Sequence, residues 1–372
     1  LELGMATVLI ALVVLTVLGR LSMTLASFFP ERASASGDFP SVLAIIAAHN
    51  EEATLPEFFE SLDRLNYPAS RLSFLFVDDG STDESGRLLD DWCADRSAAR
   101  VLHLAKNMGK GAALEAGRKS AAVCDLIVMY DADVRPDPDS LRSIVAPFAD
   151  PRVGAASGPR LPSNSGASVV SRYAGLEQYV FDLVIQPARQ ALHWNPPVLG
   201  GNFAVRAAAL DEIGGFARNT FSEDLETSFA LHRKGWRTAY CVDARVYMRV
   251  PTSLAAFWRQ RQRWTRGIYR SMPKSAGLGS LMTAAGYADR LIFLAALIAA
   301  AGGTLSFRWP LVYLIGPVLP ICAALWRAKD PGWVWIVLAC PPMFVIDVCS
   351  TVVGALRSVM PTDGRWKPER RE

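Results

Sequence analysis

Asp125-Leu-Ile-Val-Met-Tyr130-Asp131-Ala132-Asp133 decides the fold. Its apolar run has no polar break and ends in two acids. Such a run is expected of a strand buried on both faces, the kind that builds parallel sheets. Upstream the same grammar repeats. Ser41-Val-Leu-Ala-Ile-Ile-Ala47 leads to Asn50-Glu51-Glu52, Leu72-Ser-Phe-Leu-Phe-Val77 leads to Asp78-Asp79-Gly80, and Arg100-Val-Leu-His-Leu104 supplies a further strand. Helical patterns follow each strand, over Thr54 to Leu65, Asp83 to Ala94, Lys110 to Ala122 and Asp139 to Phe148. This alternation predicts βαβ units and a parallel sheet with helices on both faces. Ligands in such sheets bind beyond the carboxyl ends of the strands, where these acids fall.

Beyond Val153 the pattern loosens, with Gly158-Pro159 and Pro196-Pro197 as breaks, until Leu225 to Lys234 reads as an amphipathic helix. Ser253 to Met272 interleaves Trp258, Trp264 and Tyr269 with arginines, the composition of a helix in a membrane interface.

The chain has 372 residues, 51% of them hydrophobic, and the apolar excess sits at its two ends. Met5 to Phe29 is apolar apart from Arg20 and reads as one membrane helix; its flanks do not suit a cleaved signal peptide. Arg20 and Arg32 after it place the following domain in the cytosol. Three further apolar segments, Arg290 to Phe307, Pro310 to Trp326 and Trp333 to Leu356, are each long enough to cross. Three crossings would leave the basic tail, Arg365 to Arg371, outside, against the positive-inside bias. The expected divisions are 5–29 for the N-terminal helix, 40–250 for the cytosolic domain, 251–279 for the interfacial helix, 288–357 for the C-terminal helices and 358–372 for the basic tail. A net charge of +3 gives no basic field for nucleic acid. The six cysteines have no zinc spacing and read as reduced, mostly buried thiols.

Asp131 and Asp133, at i and i+2 after a strand, suit a magnesium or manganese ion that keeps places for phosphate oxygens. The same pair also suits a strand-ending turn. Asp79 and Glu51 reach the same sheet edge, although an acid before a helix N-terminus is favourable without any ligand. Lys110 opens a helix where a cation is unfavourable, so an anion is expected beside it. Ser222-Glu223-Asp224 reads as a cap with acids in the first turn, or as a general base. Gln260, Arg263 and Trp264 share one helical face, with Arg suited to phosphate and Trp to a sugar wall.

In this order, with Gly200-Gly201-Asn202 between them, the motifs DDG, DAD, SED and Gln260-Arg-Gln-Arg-Trp264 resemble the processive family 2 glycosyltransferases, the synthases of cellulose, chitin oligomers, hyaluronan and poly-N-acetylglucosamine. The resemblance covers roughly Pro40 to Arg270. It implies an α/β GT-A (Rossmann-like) domain between N- and C-terminal transmembrane helices, in a multi-pass protein of the bacterial inner membrane. It implies Asp224 as catalytic base. Glu51, Asp79, Lys110, Asp131, Asp133, Gln260, Arg263 and Trp264 would bind the nucleotide sugar, Asp131 and Asp133 through Mg2+ or Mn2+. Gly201, Asn202, Glu223 and Trp264 would meet the acceptor. The expected reaction is inverting transfer from a UDP-sugar to a growing β-linked glycan. Transfer to a membrane lipid is the alternative, and a nucleotide-sensing transporter, with Asp347 on its path, the minor one. Ser222 stands where the family usually has Thr, His49 where many members have Tyr, and Gly200-Gly201-Asn202 departs from the forms common in polymer synthases.

Overall fold

The computed structural model describes residues 2–31, 39–218, 220, 222–271, 278–330 and 333–358. Four of the strands read from sequence form one half of a sheet: β1 (Val42–Ala48), β2 (Leu72–Asp78), β3 (Ala99–His103) and β4 (Leu126–Tyr130). They pair in parallel, in the order β3-β2-β1-β4. Side chains alternate between the two faces, as strand geometry requires. Ala44, Ile46, Val128 and Tyr130 face one core; Leu43, Ile45, Ile127 and Met129 face the other. The first core is covered by α2 (Leu55–Leu62) and α3 (Ser85–Cys93), through Phe58, Phe59, Leu89 and Trp92, and by α5 (Ser140–Val145). α4 (Lys110–Ser120) covers the second, close enough that a Cβ on Gly117 would lie 2.9 Å from Val77. Each fully buried Phe or Leu contributes about 1.5–3 kcal/mol.

The sheet is not purely parallel. Beyond β4 come β8 (Asn202–Arg206), β6 (Val153–Ser157) and β9 (Arg237–Tyr240), and β8 runs antiparallel to both β4 and β6. β5 (Val134–Pro136), β7 (Arg160–Pro162) and β10 (Val246–Met248) make a second, three-stranded sheet beside the strand ends. The loosely patterned region is therefore ordered. It also holds α6 (Val169–Val180), a π-helical turn at Phe181–Ile185, α7 (Gln186–Ala191), α8 (Ala207–Glu212) and α9 (Glu223–Arg233).

α1 (Glu2–Ala26) ends three residues short of its expected end at 29. α10 (Leu254–Ser271) falls within the helix expected over Ser253 to Met272. α11 (Leu278–Ala301) begins twelve residues before its expected start. The second apolar segment breaks at Gly316-Pro317 into α12 (Arg308–Ile315) and α13 (Val318–Ala328), as a proline at a helix start dictates. α14 is Trp333–Ser358, and the rest of the basic tail lies outside the described residues. Among the described residues, Gly4–Ala26 and Arg308–Ala328 are long and apolar enough to cross a membrane. Val8, Leu15, Leu18, Leu311 and Ile315 stay exposed on them, while Val13 and Tyr313 pack against Ala296 and Ala300 of α11.

α14 lies along α10. Phe257 packs near Met343, Thr265 meets Gly354, and Arg270 Nε donates to Ser358 O at 3.0 Å. Asp347, the residue singled out for a transport path, pairs with Arg290 at 2.5 Å, and Arg20 pairs with Asp289 at 2.6 Å. All six cysteines are free; Cys322 and Cys349 are exposed and the others half-buried, so the thiols are less buried than their residue type suggests.

Candidate active site

β4 ends at Tyr130, and Val134 N–H donates to Asp131 O at 3.2 Å, closing a tight turn that carries both carboxylates of the DAD motif. β8 begins opposite, with Asn202 paired to Tyr130. This register lays Gly200-Gly201 beside the turn. Gly201 has φ +90°, and a Cβ there would sit 3.2 Å from Asp131 Oδ2. Glycine thus serves both the backbone conformation and the close approach.

Three helices point into the same space. α4 begins with Lys110, α9 with Glu223 and Asp224, and α10 runs past with Gln260, Arg263 and Trp264. These residues, with Asp131, Asp133, Gly200 and Gly201, line one cavity of about 280 Å³. The expected shared face of the Gln260-Arg-Gln-Arg-Trp264 stretch is present. Arg261 turns the other way, its guanidinium 4.7 Å from the Phe257 ring centre and 4.8 Å from that of Trp264.

The anion expected beside Lys110 is supplied by the protein itself. Lys110 Nζ lies 2.7 Å from Asp131 Oδ1 and 2.7 Å from Glu223 Oε1. Burial would lower its pKa, but Asp131, Glu223 and Asp224 together outweigh that and raise it. Asp224 accepts from Gly200 N–H through Oδ2 and from Leu225 N–H through Oδ1, the latter at 2.7 Å. Burial lifts the Asp224 carboxyl above its ordinary range, the neighbouring Glu223 charge adds to that, and Lys110 opposes it. A carboxylate made more basic in this way is better matched to taking a proton near neutral pH. The expected cap from the Ser222 side chain is not made, so Asp224 itself serves the first turn.

Three expected site residues do not line the cavity. Asp79 is 2% exposed, and its two oxygens accept from Met108 N–H at 2.7 Å and Gly109 N–H at 2.8 Å. It therefore holds the loop that delivers Lys110. Glu51 accepts from Thr54 Oγ1 at 2.8 Å, before α2. Asn202 is fully buried and donates to Ala244 O at 2.6 Å, tying β8 to the loop before β10. Conversely, Arg160, Asn164, Arg249 and Thr252 line the cavity, although sequence gave no reason to choose them. The Gly158-Pro159 break just before Arg160 was the one available signal.

Asp131 and Asp133 could hold a divalent cation. Two hard carboxylate oxygens beside an open cavity leave positions for phosphate, and the Lys110 ammonium on Asp131 marks where positive charge is already accommodated. Among the described residues no group of three or more His, Cys, Asp or Glu is arranged to hold a metal by itself, so phosphate or water oxygens would complete the shell.

The seven-stranded mixed sheet is that of the GT-A glycosyltransferase fold. The mannosyltransferase PcManGT of Pyrobaculum calidifontis, solved with GDP-Man and Mn2+, shares it with a TM-score of 0.64 at 20% identity, over 94% of this chain and 99% of that one. The chain belongs to the glycosyl transferase family group 2, whose profile matches residues 126–347. It is 30% identical over 240 residues to a beta-monoglucosyldiacylglycerol synthase of Synechocystis, covering 62% of this chain and 48% of that protein. It is 28% identical over 234 residues to the probable glycosyltransferase YdaM of Bacillus subtilis, covering 62% and 56%. It is 27% identical over 233 residues to a poly-beta-1,6-N-acetyl-D-glucosamine synthase of Staphylococcus aureus, covering 62% and 55%. The chain thus spans about half the length of the curated relatives it matches.

Proposed function

We propose that the protein transfers a hexose or N-acetylhexosamine from a UDP-sugar to an acceptor hydroxyl, with inversion at the anomeric carbon. The observation that carries this reading is Asp224: a half-buried carboxylate of raised basicity, held by two backbone N–H groups, on the wall of a cavity that also carries Asp131, Asp133, Lys110 and Arg263. In the reaction Asp224 takes the acceptor hydroxyl proton as the acceptor oxygen bonds to the anomeric carbon. The bond from that carbon to the β-phosphate oxygen breaks, and the nucleoside diphosphate leaves with the electron pair. Lys110 and Arg263 offset the charge that develops on it. A Mg2+ or Mn2+ ion on Asp131 and Asp133 would neutralise the diphosphate. Gln260 and Trp264 wall the sugar, and Gly201 and Glu223 stand on the acceptor side.

The acceptor is a growing β-linked glycan. A second reading, a lipid hydroxyl, is favoured by the exposed apolar faces of α1 and α12 and by the similarity to a glucosyldiacylglycerol synthase. Both place 40–250 at the cytosolic face of a membrane, with 251–279 at the interface and 288–357 in the bilayer. The test is nucleotide release from UDP-glucose, UDP-GlcNAc, UDP-galactose, UDP-glucuronate and GDP-mannose with manganese, followed by product mass. A ladder of products supports the glycan, and a single addition to diacylglycerol supports the lipid. No release from any donor refutes the proposal. Asp131→Ala should abolish manganese-dependent UDP binding; an unchanged titration would remove the metal role.

A further inference from the structure

Arg160 is a cavity cation to which neither the motifs nor the reaction gives a part. It opens β7, its side chain is 16% exposed, and it lines the cavity together with Gly200, Gly201 and Asp224. Its Nη1 donates to Gly200 O at 3.3 Å, and its Nη2 lies 3.5 Å from Asp182 Oδ1. Asp182 is 1% exposed and belongs to the π-helical turn after α6. Its Oδ2 accepts from Arg160 N–H at 3.0 Å and from Gln178 Nε2 at 2.5 Å, and its backbone carbonyl accepts from Tyr240 Oη at 2.8 Å. A π-turn interrupts a helix locally and recurs at functional sites. Here it carries a carboxylate into the interior, held from β7 and α6, while Tyr240 of β9 holds the backbone carbonyl.

The path then continues to the base. Gly200 accepts from Arg160 through its carbonyl and donates its N–H to Asp224 Oδ2. Gly200 has no side chain to anchor it, and a Cβ there would meet both Asp224 Oδ2 and Lys110 Nζ at 3.2 Å. Its position therefore depends on what holds its peptide groups. We propose that Asp182 and Arg160 are a positioning pair: Asp182 orients Arg160, Arg160 fixes Gly200, and Gly200 sets the direction in which Asp224 presents its free lone pair to the acceptor hydroxyl. The proposal rests on the assignment of Asp224 as base. A shift of an ångström at such a group is enough to cost about a hundredfold in rate, although nothing at the donor changes.

The test uses the full-length protein in detergent or bilayers, with a donor found active in the release screen. Asp182→Asn and Arg160→Lys are measured for kcat, for acceptor KM and for donor Kd by titration. Both variants should lower kcat by about 10- to 100-fold and leave donor Kd within about twofold. The double variant should be no worse than the poorer single one, because the pair acts as a unit. Added guanidinium should restore part of the turnover of Arg160→Ala, a response that a purely structural ion pair would not give. If Asp182→Asn does not fold, Arg160→Lys, which keeps the charge and loses the fork, carries the test. A kcat within about twofold of wild type in the folded variants overturns the proposal. So does a rise in donor Kd that accounts for the lost rate, which would make Arg160 a phosphate ligand. Asp224→Asn is run alongside: if it turns over normally, the assignment of the base fails, whatever the other variants do.

Discussion

Two clusters of half-buried charge lie on either side of α10, and they are built on different plans. Around the cavity, Lys110 faces Asp131, Glu223 and Asp224, and Asp133, Arg160, Arg249 and Arg263 line the same open space. On the other side, Arg261 and Arg290 share Glu177 and Asp347, with contacts from 2.5 to 3.8 Å, and Asp289 and Arg20 extend the set. Those six groups are three cations and three anions packed against one another. Charges packed against one another are spent on holding helices together; charges that open on a cavity can also meet a ligand. The two also touch, because the Arg261 guanidinium stacks on Trp264, which walls the cavity. The closed cluster thus backs the open one.

The closed cluster breaks first under mutation. Asp347 is fully buried and serves Arg290 and Arg261 at once. Asp347→Asn should destabilise the protein by about 3–5 kcal/mol, since it leaves buried guanidinium charge short of a partner. Thermal unfolding in detergent measures this, and an unchanged midpoint would show that the cluster is not holding the helices together. In the open cluster, Gly201→Ala forces a side chain into positive φ beside Asp131, at a cost of about 1–3 kcal/mol. Its thermal midpoint should fall less than that of Asp347→Asn, while donor affinity falls with it. A Gly201→Ala protein that bound donor normally would separate the glycine from the site.

The smallest effect is expected in neither cluster. His232, near the far end of α9 from Asp224, is half-buried against Thr238 with Nε2 3.0 Å from Oγ1. Burial pulls its pKa down from 6.5 to about 4. Because the folded value is the lower one, the unfolded chain takes up the proton first as pH falls. The stability His232 contributes is complete above pH 6.5 and is lost progressively toward pH 4. His232→Gln should flatten that part of the acid limb in thermal midpoint against pH; an unaltered limb would mean that other groups set it.

The sequence carried the parallel half of the sheet well. β1 to β4 fall within one or two residues of their expected bounds, because runs such as Leu126-Ile-Val-Met-Tyr130 have little alternative to burial. β8 was not visible: Asn202-Phe-Ala-Val-Arg206 is short, and its antiparallel place between β4 and β6 is set by long-range pairing. The cavity residues were legible wherever they end a strand or share a helix face. Asp79 shows the limit of that reasoning. An acid after a strand looks alike whether or not backbone groups take its oxygens, as the N–H groups of Met108 and Gly109 take those of Asp79. Glu177 and Arg290 are 113 residues apart, so no local pattern announces the closed cluster.

The central claim is that the open cluster does chemistry through one carboxylate. Asp224→Asn keeps the shape and hydrogen-bonding capacity of that group and removes its basicity. The decisive measurement is sugar transfer and nucleotide binding on the same Asp224→Asn preparation. Transfer should fall by about 10²–10⁴-fold, with nucleotide affinity within about twofold of wild type. Normal transfer, or a loss of nucleotide binding large enough to explain the lost transfer, would contradict the account.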